Sequence, residues 1–247
     1  MTAVRRVLPP APADKPPIIL VHGAANSAAV WTYWQEELAK HGHASYAIDL
    51  RGHGESEQLN LSQTSMNDYA DDVRSLTAEL DTKPVIMGWS MGGLVAMMAA
   101  AGNGNAAACI GLAPSTPTLE LDTSVNIRGG DFGPEEYGIT SDDPEDQRAI
   151  PDLDLEERKQ ALASLGRESR RARDERKAGI VIESLPCPLL IVTGEGDRQW
   201  PTAHYDGLWL NADMREISGA SHWGLVLSRH ALATMAPVVT DWVARSA

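Results

Sequence analysis

The pentapeptide Gly88-Trp89-Ser90-Met91-Gly92 stands between a short apolar run, residues 84–87, and a longer stretch of small and apolar residues, 91–101. The first has the length of a buried strand and the second that of a helix. The turn joining them is so tight that side chains at its glycine positions would collide with the neighbouring strand or helix. Such a turn pushes the serine out above the sheet, at the N-terminal end of a helix. The dipole and unpaired N–H groups there favour a developing negative charge. The pattern therefore predicts a strand–turn–helix unit and nominates Ser90 as a nucleophile.

The same alternation recurs along the chain. Apolar runs predict strands at 18–21, 44–49, 84–87, 106–112, 188–193 and 214–217. Helical spacing of Val30, Trp31, Trp34 and Leu38 predicts a helix over 28–40, stopped by Gly42. Tyr69, Val73, Leu76 and Leu80 mark a second over 67–80. Others are expected over 91–101, 201–210 and 229–243, the last bent or broken at Pro237. Residues 9–17 are a proline-rich loop. Strands alternating with helices mean an α/β fold, a mainly parallel sheet covered on both faces.

The alternation lapses between 114 and 185. The first half of this stretch is acidic and rich in glycine and proline. The second, 155–179, is helical in composition and carries Arg167, Arg170, Arg171, Arg173, Arg176 and Lys177. Glu168, Asp174 and Glu175 relieve that basic run, which reads as a solvated helix face rather than an anion site. The stretch is read as a cap insertion, 114–185, over the end of a core made of 1–113 and 186–247.

Composition narrows the function. Among 247 residues, 34 acidic side chains against 21 basic ones give a net charge of −13, which opposes binding to nucleic acid. No apolar run approaches the ~20 residues of a membrane span, and residues 1–13 lack the apolar core of a signal peptide. A cytoplasmic protein without a membrane partner is expected. Two distant cysteines, Cys109 and Cys187, exclude a disulfide scaffold and a four-cysteine zinc site. The acidic residues of the insertion lack the spacing of a calcium loop. Gly194 and Gly196 lack the third glycine of a dinucleotide fingerprint. Neither metal nor cofactor is expected.

A serine hydroxyl needs a base, and the base an orienting acid. The order known for the fold that carries this serine turn is serine, then acid, then histidine. Only His204, His222 and His230 follow the insertion. His222 lies in the small-residue loop 219–224, whereas His204 and His230 fall in expected helices. The acid should follow the 188–193 strand. Of Glu195 and Asp197, the latter is favoured because the chain has cleared the sheet there, while Glu195 reads as a turn residue. The Met91 N–H, next to the nucleophile, and the Ala24 N–H, after the first strand, are the expected oxyanion donors. His22, Asp49, Arg51 and His53 are expected to order their loops.

The segments Val-His-Gly (21–23), Asp-Leu-Arg-Gly-His-Gly-Glu-Ser (49–56), Gly-Trp-Ser-Met-Gly-Gly (88–93), Gly-Glu-Gly-Asp (194–197) and Gly-Ala-Ser-His-Trp-Gly (219–224) resemble the α/β-hydrolase fold family, in its serine-nucleophile esterase and lipase-like branch. The resemblance implies a mainly parallel eight-stranded sheet with helices on both faces and a small, mostly helical cap after the sixth strand, placed at 106–112. Ser90 departs from the dehalogenase and epoxide-hydrolase branches, which have aspartate there. It is weak over 114–185. The expected function is a cofactor-free carboxylesterase-like serine hydrolase acting on a small uncharged ester or lactone. Thioester hydrolysis, carbon–carbon bond hydrolysis and perhydrolysis use the same machinery. A receptor-like ligand binder of low turnover, or a lyase or oxygenase keeping His222, belongs to another class. Trp89, Trp200 and Trp223 adjoin the three loops and Trp31 follows the oxyanion loop, so these four are candidate pocket-lining residues. Oligomeric state is left open.

Overall fold

The computed structural model describes residues 1–11, 14–147 and 150–247; Pro12 and Ala13 of the expected N-terminal loop, and Arg148 and Ala149 of the expected insertion, lie outside the described residues. Seven strands form the main sheet: β1 (Ala3–Val7), β2 (Ile18–Val21), β3 (Ser45–Asp49), β4 (Val85–Trp89), β5 (Ala108–Leu112), β8 (Leu189–Gly194) and β9 (Ala212–Ile217), in the order β1-β3-β2-β4-β5-β8-β9. All pairs are parallel except β1 with β3. The fold class is as expected, but the sheet has one strand fewer than the resemblance implies among the described residues. The 106–112 run is accordingly the fifth strand of the chain and not the sixth. Pro9, Pro10, Pro16 and Pro17 have no N–H to offer a ladder, and among the described residues β1 is the one strand ahead of β2. That edge strand escaped the sequence reading because its centre, Val4-Arg5-Arg6, is exposed and carries no apolar alternation.

The inner strands are buried on both faces and alternate between two cores. Ile18, Leu20, Val85, Met87, Ile110 and Val192 face one side with α1 (Thr32–Lys40) and α7 (Arg229–Ser246). Ile19, Val21, Ile86 and Ile191 face the other with α2 (Met66–Ala78) and α3 (Met91–Asn103). A period of two along each strand places both sets. Ser65 opens α2 with a capping box to Asp68, which satisfies two end N–H groups. One expectation fails locally: only a single 3-10 turn, Thr202–Tyr205, forms in 201–210, where Gly207 takes φ +79°. Helix α7 continues through Pro237 without a break.

Between β5 and β8 the chain forms two helices, α4 (Leu155–Ala163) and α5 (Arg170–Ala178), and a short antiparallel ladder of β6 (Asp131–Phe132) with β7 (Glu168–Ser169). The segment also holds a 3-10 turn, Pro134–Tyr137, and an isolated bridge between Thr118 and Val181. This segment bonds to the loop after β2: Gln160 Nε2 donates to the Ala29 carbonyl at 2.6 Å, Ser164 Oγ to Asn26 Oδ1 at 2.8 Å, and the Gly166 amide to the Ala25 carbonyl at 2.9 Å. The basic run of α5 is largely paired: Arg170 and Arg173 with Glu136, Arg167 with Asp131, and Arg171 with Glu175. A short helix, α6 (Gly224–Leu227), follows β9 and leads into α7.

Candidate active site

Ser90 ends β4 and caps α3 with φ +55°, ψ −121°, a left-handed conformation that costs a non-glycine residue about 1–3 kcal/mol and persists only where its surroundings fix it. They do so through backbone bonds. The Ser90 amide donates to the Leu112 carbonyl at 3.0 Å, and its own carbonyl accepts from Ser115 at 2.9 Å and Gly93 at 3.1 Å. A Cβ at Gly88 would overlap the Gly92 carbonyl, and one at Gly92 would overlap the carbonyls of Val21 and His22. Both glycines are therefore demanded by the close approach of helix and strands. Ser90 itself is half-buried at this edge.

Asp197 and His222, the expected acid and base, lie in the loops after β8 and β9. His222 Nδ1 and Asp197 Oδ2 are 2.6 Å apart. Asp197 Oδ1 accepts from the amides of Gln199 at 2.9 Å and Trp200 at 3.0 Å. A carboxylate already accepting two amides leaves Nδ1 as the donor of the third bond, so Nε2 carries the free lone pair of His222. Burial works to raise the Asp197 carboxyl. The hydrogen bond and charge of His222, with the two amides, outweigh it and hold the group below the usual aspartate range. Glu195 is exposed and accepts instead from Ser218 Oγ at 2.6 Å and the Gly219 amide at 2.9 Å, which makes it a turn residue.

The two loops are stitched to each other by Gly196 N–H to the Ala220 carbonyl, 2.9 Å, and Glu195 N–H to the Ile217 carbonyl, 3.0 Å. Trp89, immediately before Ser90, donates from Nε1 to the His222 carbonyl at 3.0 Å and packs its ring 5.0 Å from the imidazole. The nucleophile turn and the histidine loop are thereby held side by side. Met91, as the first residue of α3, has an N–H with no intrahelical partner. Ala24 is half-buried in the loop after β2, beside Ala25, which takes φ +55°.

A cavity of ≈ 740 Å³ opens beside His222. Asp197, His222 and Trp223 form one wall, and Ile139, Leu162 and Leu165 of the 114–185 segment form another. Ser90 is not part of that lining. Of the four tryptophans expected at a pocket, only Trp223 lines it. Trp89 and Trp31 are buried in the core, Trp89 with its ring 4.8 Å from that of Trp223. Trp200 is half-buried against His204 at a ring separation of 4.6 Å.

Sequence reasoning missed two carboxylates of the inserted segment. Asp152 Oδ2 accepts from the Ser221 amide at 2.7 Å, next to His222. Glu168 accepts from the Ala25 amide at 3.1 Å, next to Ala24. The one sequence signal was Gly224, where any Cβ would strike the Asp152 carboxylate. Among the described residues, no group of three or more His, Cys, Asp or Glu could hold a metal ion, and no helix is long and apolar enough to cross a membrane.

Comparison with known proteins places the fold. A stretch of 83 residues is 34% identical to a pimeloyl-(acyl-carrier protein) methyl ester esterase of Aliivibrio fischeri, covering 34% of this chain and 30% of that protein. Another of 83 residues is 37% identical to a non-heme chloroperoxidase of Streptomyces lividans, covering 33% of this chain and 30% of that one. The chain thus spans about three tenths of the length of these curated relatives. A solved methylesterase from Arabidopsis shares the fold with a TM-score of 0.70 at 19% identity, over 93% of this chain and 99% of its own. The sequence profile described as the Alpha/beta hydrolase family matches residues 18–235, most of the chain, and the protein belongs to that family.

Proposed function

We propose that this chain is a serine hydrolase that cleaves an uncharged carboxylic ester or lactone without a cofactor. Ser90 attacks the acyl carbon, His222 Nε2 takes its proton and returns it to the leaving alcohol, and Asp197 holds the imidazole in the productive tautomer. The Ala24 and Met91 amides receive the oxyanion, and water then releases the acid from the acyl-enzyme. The observation that carries this reading is a serine held at positive φ at the head of a helix, with an aspartate-bonded histidine braced beside it through Trp89. The esterase named among the relatives supports the bond type.

Residues 114–185 act in this reading as a cap that shapes the acyl pocket, because they supply the apolar wall facing His222. A small molecule is the partner. The two cysteines are unpaired, which suits a reducing, cytoplasmic setting. A fluorophosphonate probe is expected to label Ser90 and to lose that label in Ser90→Ala, which also loses hydrolysis of p-nitrophenyl acetate. Labelling at another serine, with Ser90→Ala still active, refutes the assignment.

A further inference from the structure

The most enclosed carboxylate of the chain lies outside the proposed triad. Glu168, in β7 of the inserted segment, is fully buried. Its Oε1 accepts from the Tyr69 hydroxyl and from the Ser169 amide, each at 2.6 Å. Its Oε2 accepts from the Ala25 amide and lies 3.5 Å from His53 Nε2, itself fully buried. The proton positions follow from the neighbours. His53 Nδ1 is 3.0 Å from the Arg51 carbonyl, which can only accept, so Nδ1 carries a hydrogen. Nε2 makes no hydrogen bond and faces the Glu168 carboxylate at 3.5 Å, where a lone pair would be repelled. His53 is therefore an imidazolium when Glu168 is ionised.

The other groups around the pair are committed elsewhere. His22, with its ring 5.0 Å from His53, donates from Nδ1 to the Gly23 carbonyl and accepts at Nε2 from the Leu50 amide, which defines a neutral ring. Asp49 accepts from the amides of Ala28 and Glu55. Arg176, whose charge also favours the ionised Glu168, donates to Ser115 Oγ at 3.4 Å. Burial would raise the Glu168 carboxyl and lower the His53 imidazole. The charge and hydrogen bond of each partner reverse both, holding Glu168 down at about 2 and His53 above its ordinary range.

The Ala24–Ala25 peptide is gripped at both ends by this apparatus. Glu168 takes its N–H. Its C=O accepts from Asn26 Nδ2 at 2.9 Å, and the Oδ1 of that asparagine accepts from Ser164 Oγ of the inserted segment. Ala25 sits at φ +55°, so the peptide plane would relax without that grip. We propose that Glu168, kept charged by His53, is a positioning residue that fixes the Ala24–Ala25 peptide and so aims the Ala24 amide at the oxyanion. Seating of the inserted segment and completion of the oxyanion hole are then one event. The role rests on the reading of Ser90 as the nucleophile.

The test combines Glu168→Gln, His53→Gln and Ser164→Ala with p-nitrophenyl acetate kinetics and with NMR of histidine-labelled protein. Whichever way the amide of Glu168→Gln turns, one backbone N–H faces a donor. Its kcat is expected to fall about tenfold or more, as for a partly lost oxyanion donor, with KM within about twofold. Ser164→Ala loosens the carbonyl side through Asn26 and lowers kcat in the same direction; it carries the test if Glu168→Gln does not fold. The wild-type kcat falls on the alkaline side as His53 gives up its proton. His53→Gln, whose amide donates at every pH, lacks that limb. By NMR, His53 stays doubly protonated above the ordinary histidine range in the wild type and loses this in Glu168→Gln. A neutral His53, or one indifferent to Glu168→Gln, overturns the pair whatever the catalysis. An unchanged kcat in active Glu168→Gln overturns the positioning role alone. A wild-type protein that neither hydrolyses the ester nor takes the phosphonate overturns the hydrolase reading instead.

Discussion

Asp197→Asn is the substitution for which the geometry makes the sharpest forecast. Asp197 Oδ1 accepts two backbone amides, from Gln199 and Trp200, while Oδ2 accepts from His222 Nδ1. In the asparagine variant the oxygen stays with the two amides, because the reverse orientation would set an NH2 group against two N–H donors. Leaving those donors unmet costs about 3 kcal/mol, a factor of about 10² in population. The amide nitrogen must then point at Nδ1, which forces His222 to accept there and to carry its proton on Nε2, where the lone pair is needed. The variant also loses the negative charge 2.6 Å from the imidazolium that forms during attack, a contribution of comparable size. Together they predict a fall in kcat of about 10⁴, the scale that triads show for this change, with KM little altered. The assay is steady-state hydrolysis of p-nitrophenyl acetate, with a tight phosphonate used to count intact sites. Glu195→Gln is the matched control and should stay within about threefold of the wild type, since Glu195 bonds only Ser218 and Gly219 at an exposed turn. An Asp197→Asn enzyme retaining a tenth of its activity, or a Glu195→Gln enzyme as damaged as it, refutes the assignment of the acid.

Leu162→Ala and Leu165→Ala enlarge the cavity wall opposite His222 and should shift acyl-chain preference toward longer chains by about 1–3 kcal/mol per contact, while Ile180→Ala, away from that lining, should not; kcat/KM across a series of p-nitrophenyl esters measures it. His22 is buried and neutral, lowered to about 4 by burial and by the charge of His53, whereas an unfolded histidine titrates near 6.5. The unfolded chain binds the extra proton between those values, so stability is full above about pH 6.5 and declines by about 3 kcal/mol as pH falls through 4, as urea midpoints against pH would record; a flat profile between pH 6.5 and 4 contradicts the buried neutral ring.

The strand–turn–helix unit around Ser90 was legible because its determinants are local. Gly88, Ser90 and Gly92 are fixed by the approach of one helix to adjacent strands, and such a constraint is written into five consecutive residues. The Asp197–His222 contact was legible by position, since each residue lies in the loop after one of two adjacent parallel strands. Strand β1 was not, since an exposed edge strand need not alternate. The tryptophans misled because adjacency in sequence to a catalytic loop does not decide which way an indole points. Trp31 and Trp89 turn inward, and the large side chains that fill a core are drawn from the same alphabet as those that line a pocket.

Glu168 shows the limit from the other side. In the sequence it is one acid relieving a run of arginines, and nothing within ten residues sets it apart. Its burial comes from Ala25, His53 and Tyr69, the nearest of them 99 residues away along the chain, so only the assembled fold can distinguish it from its solvated neighbours. The same holds for Asp152, whose partner Ser221 is 69 residues distant. These two acids change what the segment between β5 and β8 can be. A cover that only walled a pocket could be exchanged for another of similar volume without loss of rate. This one accepts a backbone N–H from the loop that holds Ala24 and another from the loop that holds His222. Removing it would leave the buried Ala25 amide unpaired, at about 1–3 kcal/mol, and would free both loops at once. Under the proposed function, specificity is therefore expected to change through Leu162 and Leu165, which line the cavity beside His222, and not through wholesale replacement of the segment that carries them.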